Sequence, residues 1–184
     1  MSDRRIRLER TAYSQAGAIC SVTITTRGRA LVFASAPVAK AAVAVLTERA
    51  NRGQVPVYGY CVMPDHVHLV LGPSSTCDII SFVGQFKNLT QRAAWRLGVS
   101  GAFWQARFWD HFLRRDEDVE VAVSYVLNNP VRRGLVEQWS DYPFGGSWVF
   151  PLRTRATGGS SKPIPRAAPP AAGHVIEAAP TQER

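Results

Sequence analysis

Cysteine is scarce and spaced without pattern: three in 184 residues, at Cys20, Cys61 and Cys77. An odd, scattered set argues against a disulfide framework and against a zinc-finger module, and it suits a reducing compartment. Long apolar runs are missing too. None approaches the roughly 20 residues needed to cross a bilayer, and the basic start Met-Ser-Asp-Arg-Arg-Ile-Arg has no apolar core behind it, so neither a membrane span nor a secretory leader is expected. The expected location is the cytoplasm. Acidic residues are outnumbered, 14 against 22 Lys and Arg, for a net charge of +8. That imbalance suggests an anionic partner, nucleic acid being the commonest, though charge alone identifies none. Internal repeats are absent. Periodicity is absent from the end of the chain, where Pro, Ala, Gly and Ser dominate; residues 151–184 read as a disordered Pro/Ala-rich tail behind a folded part over residues 1–150.

What is present centres on Tyr58 to Leu71, Tyr-Gly-Tyr-Cys-Val-Met-Pro-Asp-His-Val-His-Leu-Val-Leu. Two apolar runs flank a Pro-Asp pair, so the stretch reads as a β-hairpin bending at Pro64–Asp65. His66 and His68 open its second strand. Side chains alternate faces along a strand, so both imidazoles point one way and Val67 the other. The pair can clamp a metal; two histidines on a solvated sheet face would read the same.

The rest of the chain is legible as alternating elements. Ala18 to Thr25 is rich in β-formers and reads as the first strand. From Pro37 to Ala50 the apolar positions Val38, Ala41, Ala42, Val45 and Leu46 keep amphipathic helical spacing. A second helix is expected from about Asp78 to Leu97, with Ile79, Val83, Phe86, Ala93 and Leu97 inward. Its outer face carries Asn88, Arg92 and Arg96, with Lys87 and Gln91 beside them, and no acid after Asp78. Such a face serves solubility or phosphate binding. Phe108 to Leu113 reads as a fourth strand. Phe103, Trp104 and Trp109 suit either core packing or stacking on unpaired bases. The last helix is expected to begin near Asp116, an N-cap residue, with Val119, Ala122, Val123, Val126 and Leu127 inward. Tyr125 falls about 130° from the centre of that stripe at 100° per residue, with Asn129 on the same flank. Pro130 is expected to stop the helix and leave the Asn129 amide freely aimed. Strand, helix, hairpin, helix, strand, helix is the β-α-β-β-α-β order of an α+β, ferredoxin-like sandwich with an antiparallel sheet, plus an appended helix that carries the tyrosine.

With those stretches in view, the sequence resembles the IS200-type single-tyrosine transposases, and among them the REP-associated tyrosine transposases. The resemblance is carried by Val-Met-Pro-Asp-His-Val-His-Leu, Phe-Trp-Gln-Ala-Arg-Phe-Trp-Asp, Tyr-Val-Leu-Asn-Asn-Pro-Val-Arg-Arg-Gly-Leu-Val and the closing Asp-Tyr-Pro-Phe-Gly-Gly-Ser, in the family's order. It implies a histidine-hydrophobic-histidine metal site at His66 and His68, a nucleophilic tyrosine at Tyr125, and Mg²⁺ or Mn²⁺ as the ion. The IS200 branch has a glutamine four residues after the tyrosine as third ligand; here Asn129 stands there, with Asn128 and Asp65 as substitutes. The implied partner is single-stranded DNA with hairpin or repetitive palindromic structure, the implied state a monomer or homodimer, and the implied setting the nucleoid.

On this reading Tyr125 attacks a phosphodiester, giving a 5′-phosphotyrosine and a free 3′-hydroxyl. Tyr13, Tyr58, Tyr60 and Tyr142 are rival nucleophiles, Tyr58 and Tyr60 being placed on one strand face. Lys87, Asn88, Arg92, Arg96, Arg114, Arg115, Arg132 and Arg133 are the candidate DNA contacts. Two other readings use the same fold: a catalytically inactive DNA-binding protein or repressor, and a metal hydrolase in which His66, His68 and an acid such as Asp65 activate water.

Overall fold

The computed structural model describes residues 9–114 and 117–148. The expectations for Arg115 and Asp116 and for the tail fall outside the described residues. The elements are β1 (Cys20–Thr25), α1 (Ala36–Asn51), β2 (Val57–Met63), β3 (His66–Leu71), α2 (Ile79–Arg96), β4 (Trp109–Phe112), α3 (Val119–Leu127), α4 (Asn129–Arg132) and β5 (Gly145–Gly146). The strands form one five-stranded sheet in the order β4-β1-β3-β2-β5, antiparallel at every pairing. Among the described residues, no helix is long and apolar enough to cross a membrane.

Alternation along the strands gives the sheet two apolar faces, each covered by different helices. Val22 and Ile24 of β1, Val67, Leu69 and Leu71 of β3, and Val62 of β2 pack with Val38, Ala42 and Leu46 of α1 and Ile79, Phe82, Val83 and Phe86 of α2. The opposite face is smaller: Cys61, Met63 and Val70 receive Val123, Val126 and Leu127 of α3. Gly59 makes this second packing close. A Cβ there would stand 2.8 Å from Cγ1 of Val123, so the helix rests almost on the strand backbone.

Several boundaries differ from expectation for physical reasons. Helix α3 is N-capped by Asp118, its carboxylate accepting the Glu120 N–H at 2.8 Å. Pro130 does not end helical structure at Asn129. It sits in the first turn of α4, where its missing N–H has no helical partner to lose, and Asn128 (φ −81°, ψ 0°) links the two helices. The inward stripe of α2 runs through Ile79, Phe82, Val83, Phe86, Thr90 and Ala94, and Leu97, just past the helix end, is exposed. Strand β5 is an addition to the expected order. Two glycines pair with Tyr60 and Cys61, too short a ladder to leave a pattern in sequence. Phe103 and Trp104 are core residues, 5% exposed each, and only Trp109 of the three stacking candidates is exposed.

Candidate functional site

The hairpin bends at Pro64–Asp65, between Met63 and His66, as its turn chemistry requires. His66 and His68 lie on the α3 side of the sheet, where His68 is cross-strand from Thr23 and Cys61. Their Nε2 atoms are 2.9 Å apart. On the far side of each ring an oxygen meets Nδ1: Asp65 Oδ1 at 2.5 Å on His66 and Thr23 Oγ1 at 2.9 Å on His68. Asp65 is also held by Arg29, whose Nη1 donates to Oδ2 at 3.2 Å. Arg29 is a non-glycine residue in the left-handed region (φ 57°), which β-carbon sterics disfavour. The turn carrying it is anchored. The buried Thr26 hydroxyl shares its one proton between the carbonyls of Ala30 and Asp65, each 2.8 Å away, and the Phe33 N–H donates to Pro64 O at 2.9 Å.

A cleft of about 290 Å³ opens over the two histidines, lined by Thr23, Arg29, His66, His68, Tyr125, Asn129, Arg132 and Arg133. Helix α3 presents Tyr125 and the α3–α4 junction presents Asn129, so the docking of α3 on β2 and β3 assembles the cleft within one chain. The Arg132 guanidinium carbon lies 4.3 Å from the centroid of the Tyr125 ring. The Asn129 amide is not freely aimed. Its nitrogen donates to the carbonyls of Tyr125 and Val126, at 3.1 Å each, and only Oδ1 is left without a hydrogen bond. Asn128 turns elsewhere, donating to Ser124 O at 2.8 Å.

Electrostatics keep both imidazoles neutral. Burial lowers the His66 pKa, Asp65 opposes the shift, and Arg29 and Arg133 add to it. His68 is pushed down to about 3, by burial first and then by His66, Arg132 and Arg133. Burial would raise the Asp65 carboxyl, but the hydrogen bond to His66 and the hydrogen bond and charge of Arg29 outweigh it and the pKa is lowered. Neutral imidazole is the form that binds a metal. A cation about 2.1 Å from each of two nitrogens, with bonds about 90° apart, separates them by about 3.0 Å, so the His66–His68 pair fits as two adjacent ligands. Among the described residues, no group of three or more His, Cys, Asp or Glu side chains gathers to hold an ion. Asp65 grips the outer edge of His66, on the opposite side of the ring from Nε2, a place from which it can orient the ring but not reach an ion held at Nε2.

The rival tyrosines are committed elsewhere. Tyr13 is fully buried and donates to Asp110 at 2.9 Å; Tyr142 donates to Val62 O at 2.8 Å. Tyr58 and Tyr60 do not share a face. A bulge between Val57 and Gly59 shifts the register, leaving Tyr58 against the α3 cluster and Tyr60 in the core on the other side, where Trp148 stacks on it.

The candidate DNA contacts do not form one surface. Arg132 and Arg133 are at the cleft, whereas Asn88, Arg92 and Arg96 are exposed on α2, across the sheet from it. Lys87 donates to the carbonyls of Gln105, Ala106 and Arg107 at 2.9, 3.3 and 3.2 Å and ties that loop to α2. Arg114 lines a second cleft with Gly17, Ile19, Leu113, Glu117 and Val119. Sequence reasoning missed Thr23 and Arg29. Asp65, directly before a candidate ligand, carried a signal as an orienting acid; nothing in the spacing marks Arg29, 36 residues earlier.

Comparison with known proteins shows the family. The sequence profile described as "Transposase IS200 like" matches residues 15–129, from before β1 to Asn129. A REP-associated tyrosine transposase of Escherichia coli (strain K12) is 31% identical over 88 residues, 48% of this chain and 52% of the relative. A relative from Haemophilus influenzae is 30% identical over 95 residues, 46% of this chain and 54% of its own. The chain thus spans about half the length of the curated relatives it matches. The solved structure of a REP-associated tyrosine transposase bound to a REP hairpin is similar in fold, with a TM-score of 0.57 and 24% identity over 79% of this chain and 82% of that one. With more than half of its length matched by that profile, the chain belongs to the IS200-like transposase family.

Proposed function

We propose that this chain is a metal-dependent single-stranded DNA transesterase, which cleaves and rejoins DNA at hairpin or palindromic repeats through a 5′-phosphotyrosine on Tyr125. The observation that carries the reading is the convergence of the His66 and His68 Nε2 atoms, 2.9 Å apart, in the cleft that Tyr125 and three arginines line. Hairpin DNA is proposed by likeness to the relative solved on a REP hairpin. We read the strand order, with α1 and α2 on one face, as a ferredoxin-like sandwich and α3 as its appended tyrosine helix.

A phenol with a pKa near 10 is ionised in roughly one molecule in a thousand at pH 7, a deficit of about 4 kcal/mol. The Arg132 guanidinium lies over the Tyr125 ring, and Arg29 and Arg133 offer the charge to seat a phosphate beside it. Tyr125 Oη loses its proton and bonds to phosphorus as the P–O3′ bond breaks; the leaving 3′ oxygen takes up a proton. The phosphoester remains in the tyrosyl linkage, so attack by a 3′-hydroxyl reverses the step and rejoins strands. His66 and His68, with Asn129 Oδ1 as the available third ligand, would hold the divalent ion. When bound, Mg²⁺ or Mn²⁺ polarises the scissile phosphate.

Incubation with labelled hairpin-bearing single-stranded DNA and Mn²⁺ tests this. The expected result is a denaturation-resistant protein–DNA adduct that Tyr125→Phe abolishes while hairpin binding persists. An adduct with Tyr125→Phe refutes the nucleophile. Binding without cleavage by the wild-type protein makes it an inactive DNA-binding protein. Cleavage without any adduct makes it a hydrolase, a reading already disfavoured by the position of Asp65 behind the His66 ring.

A further inference from the structure

The outer edges of the two imidazoles are held by chemically different partners. Asp65 takes the Arg29 guanidinium on Oδ2 and meets His66 Nδ1 with Oδ1, so it faces the ring as an acceptor. It therefore puts the His66 proton on Nδ1 and leaves Nε2 as a lone pair. Thr23 offers His68 a hydroxyl, which can donate or accept by rotating. With both rings neutral and no cation bound, the 2.9 Å contact between the Nε2 atoms leaves one satisfied arrangement. His68 Nε2–H donates to His66 Nε2, and the Thr23 hydroxyl donates to His68 Nδ1. A cation needs the lone pairs of both Nε2 atoms, and the proton between them is in its way.

We propose that Asp65 and Thr23 are positioning residues that set the tautomers of the histidine pair: Asp65 locks His66, and Thr23 is the reversible partner that lets His68 change tautomer when a cation binds. The inference rests on the metal reading of His66 and His68 given above. The step balances without oxidant or reductant. The His68 proton leaves Nε2 and one returns to Nδ1, the ring stays neutral, and the Thr23 hydroxyl turns from donor to acceptor. Thr23 is cross-strand from His68, so the two side chains sit on neighbouring strands of a rigid sheet. Arg29, in its left-handed turn, acts one step further out by keeping Asp65 an acceptor.

Imidazole ¹⁵N NMR on the full chain without DNA, with and without Zn²⁺ as a diamagnetic probe, reads the tautomers directly. The expected spectra show His66 as Nδ1–H throughout and His68 changing from Nε2–H to Nδ1–H on Zn²⁺ addition. Mn²⁺ titration followed by electron paramagnetic resonance gives affinity. Thr23→Val, close in shape and strand-compatible, and Asp65→Asn should each weaken Mn²⁺ binding about 10- to 100-fold, and Thr23→Ser should restore it. Wild-type affinity in both Thr23→Val and Asp65→Asn, or one His68 tautomer in both states, overturns the inference and leaves the metal reading standing. No ion-induced change at either histidine of the wild-type protein overturns the metal reading itself, and the inference with it.

Discussion

Replacing Gly59 by alanine should disable the site from the opposite side of α3. The new Cβ would lie 2.8, 3.1 and 3.3 Å from Cγ1, Cγ2 and Cβ of Val123. Val123 cannot swing away: it is 1% exposed, β-branched on a helix, and enclosed by Cys61, Met63, Val70, Val126 and Leu127. Overpacking of this kind costs about 1–3 kcal/mol. Gly59 has no positive φ, so alanine also stabilises by stiffening the unfolded chain, by about 0.4–1 kcal/mol. The net expectation is a destabilisation of about 1–2 kcal/mol by urea unfolding, the clash outweighing the entropic gain. Function should suffer more than stability. Tyr125 is two residues from Val123, and a misplacement near 1 Å can cost about a hundredfold in rate. Single-turnover adduct formation should therefore fall by about that factor while hairpin binding changes little. Val123→Ala removes the obstructing methyls at a cost of about 2 kcal/mol, and the double variant should recover adduct formation relative to Gly59→Ala alone. Wild-type stability and adduct rate in Gly59→Ala would refute the argument that this packing seats the tyrosine.

Three further outcomes are expected. In the metal-free protein at acid pH, the folded His68 pKa of about 3 lies below the unfolded value near 6.5, so between them the unfolded chain binds more protons and stability declines as pH falls; His68→Gln should flatten the urea midpoint over that window, and an unchanged slope would contradict it. Lys87→Met should lower stability by about 1 kcal/mol by releasing the 105–107 carbonyls, yet leave the salt dependence of single-strand binding alone; a shallower slope would return Lys87 to the DNA-binding set. Replacing Arg29, Arg132 and Arg133 together by methionine should reduce that slope by about 0.7 for each phosphate no longer neutralised, measured by anisotropy across salt concentrations, and an unchanged slope would remove all three from the DNA path.

Local pattern carries much of the site. Pro64–Asp65 places the bend, period-two alternation puts His66 and His68 on one face, and the off-stripe angle of Tyr125 marks it as a residue without a seat in the core. Pattern fails where a non-local partner intervenes. The amide of Asn129 aims freely only if Pro130 ends the helix, but α4 continues and two carbonyls take the amide nitrogen. Alternation places Tyr58 and Tyr60 together, and one bulge undoes the count. The basic face of α2 is legible as charge, whereas its position across the sheet from the cleft is not.

By itself, the sequence determined the order of β1 to β4 with α1 to α3, the imidazole pair and the family, because each depends on spacings within about ten residues or on motifs read in order. Only the tertiary structure decided that α3 docks on Gly59 to bring Tyr125 over the histidines, that Arg29 reaches Asp65 behind His66, and that Lys87 serves a loop. Those interactions join residues 18 to 64 positions apart, and such distances are closed by which face of a sheet a helix covers, a choice of packing that no local periodicity encodes.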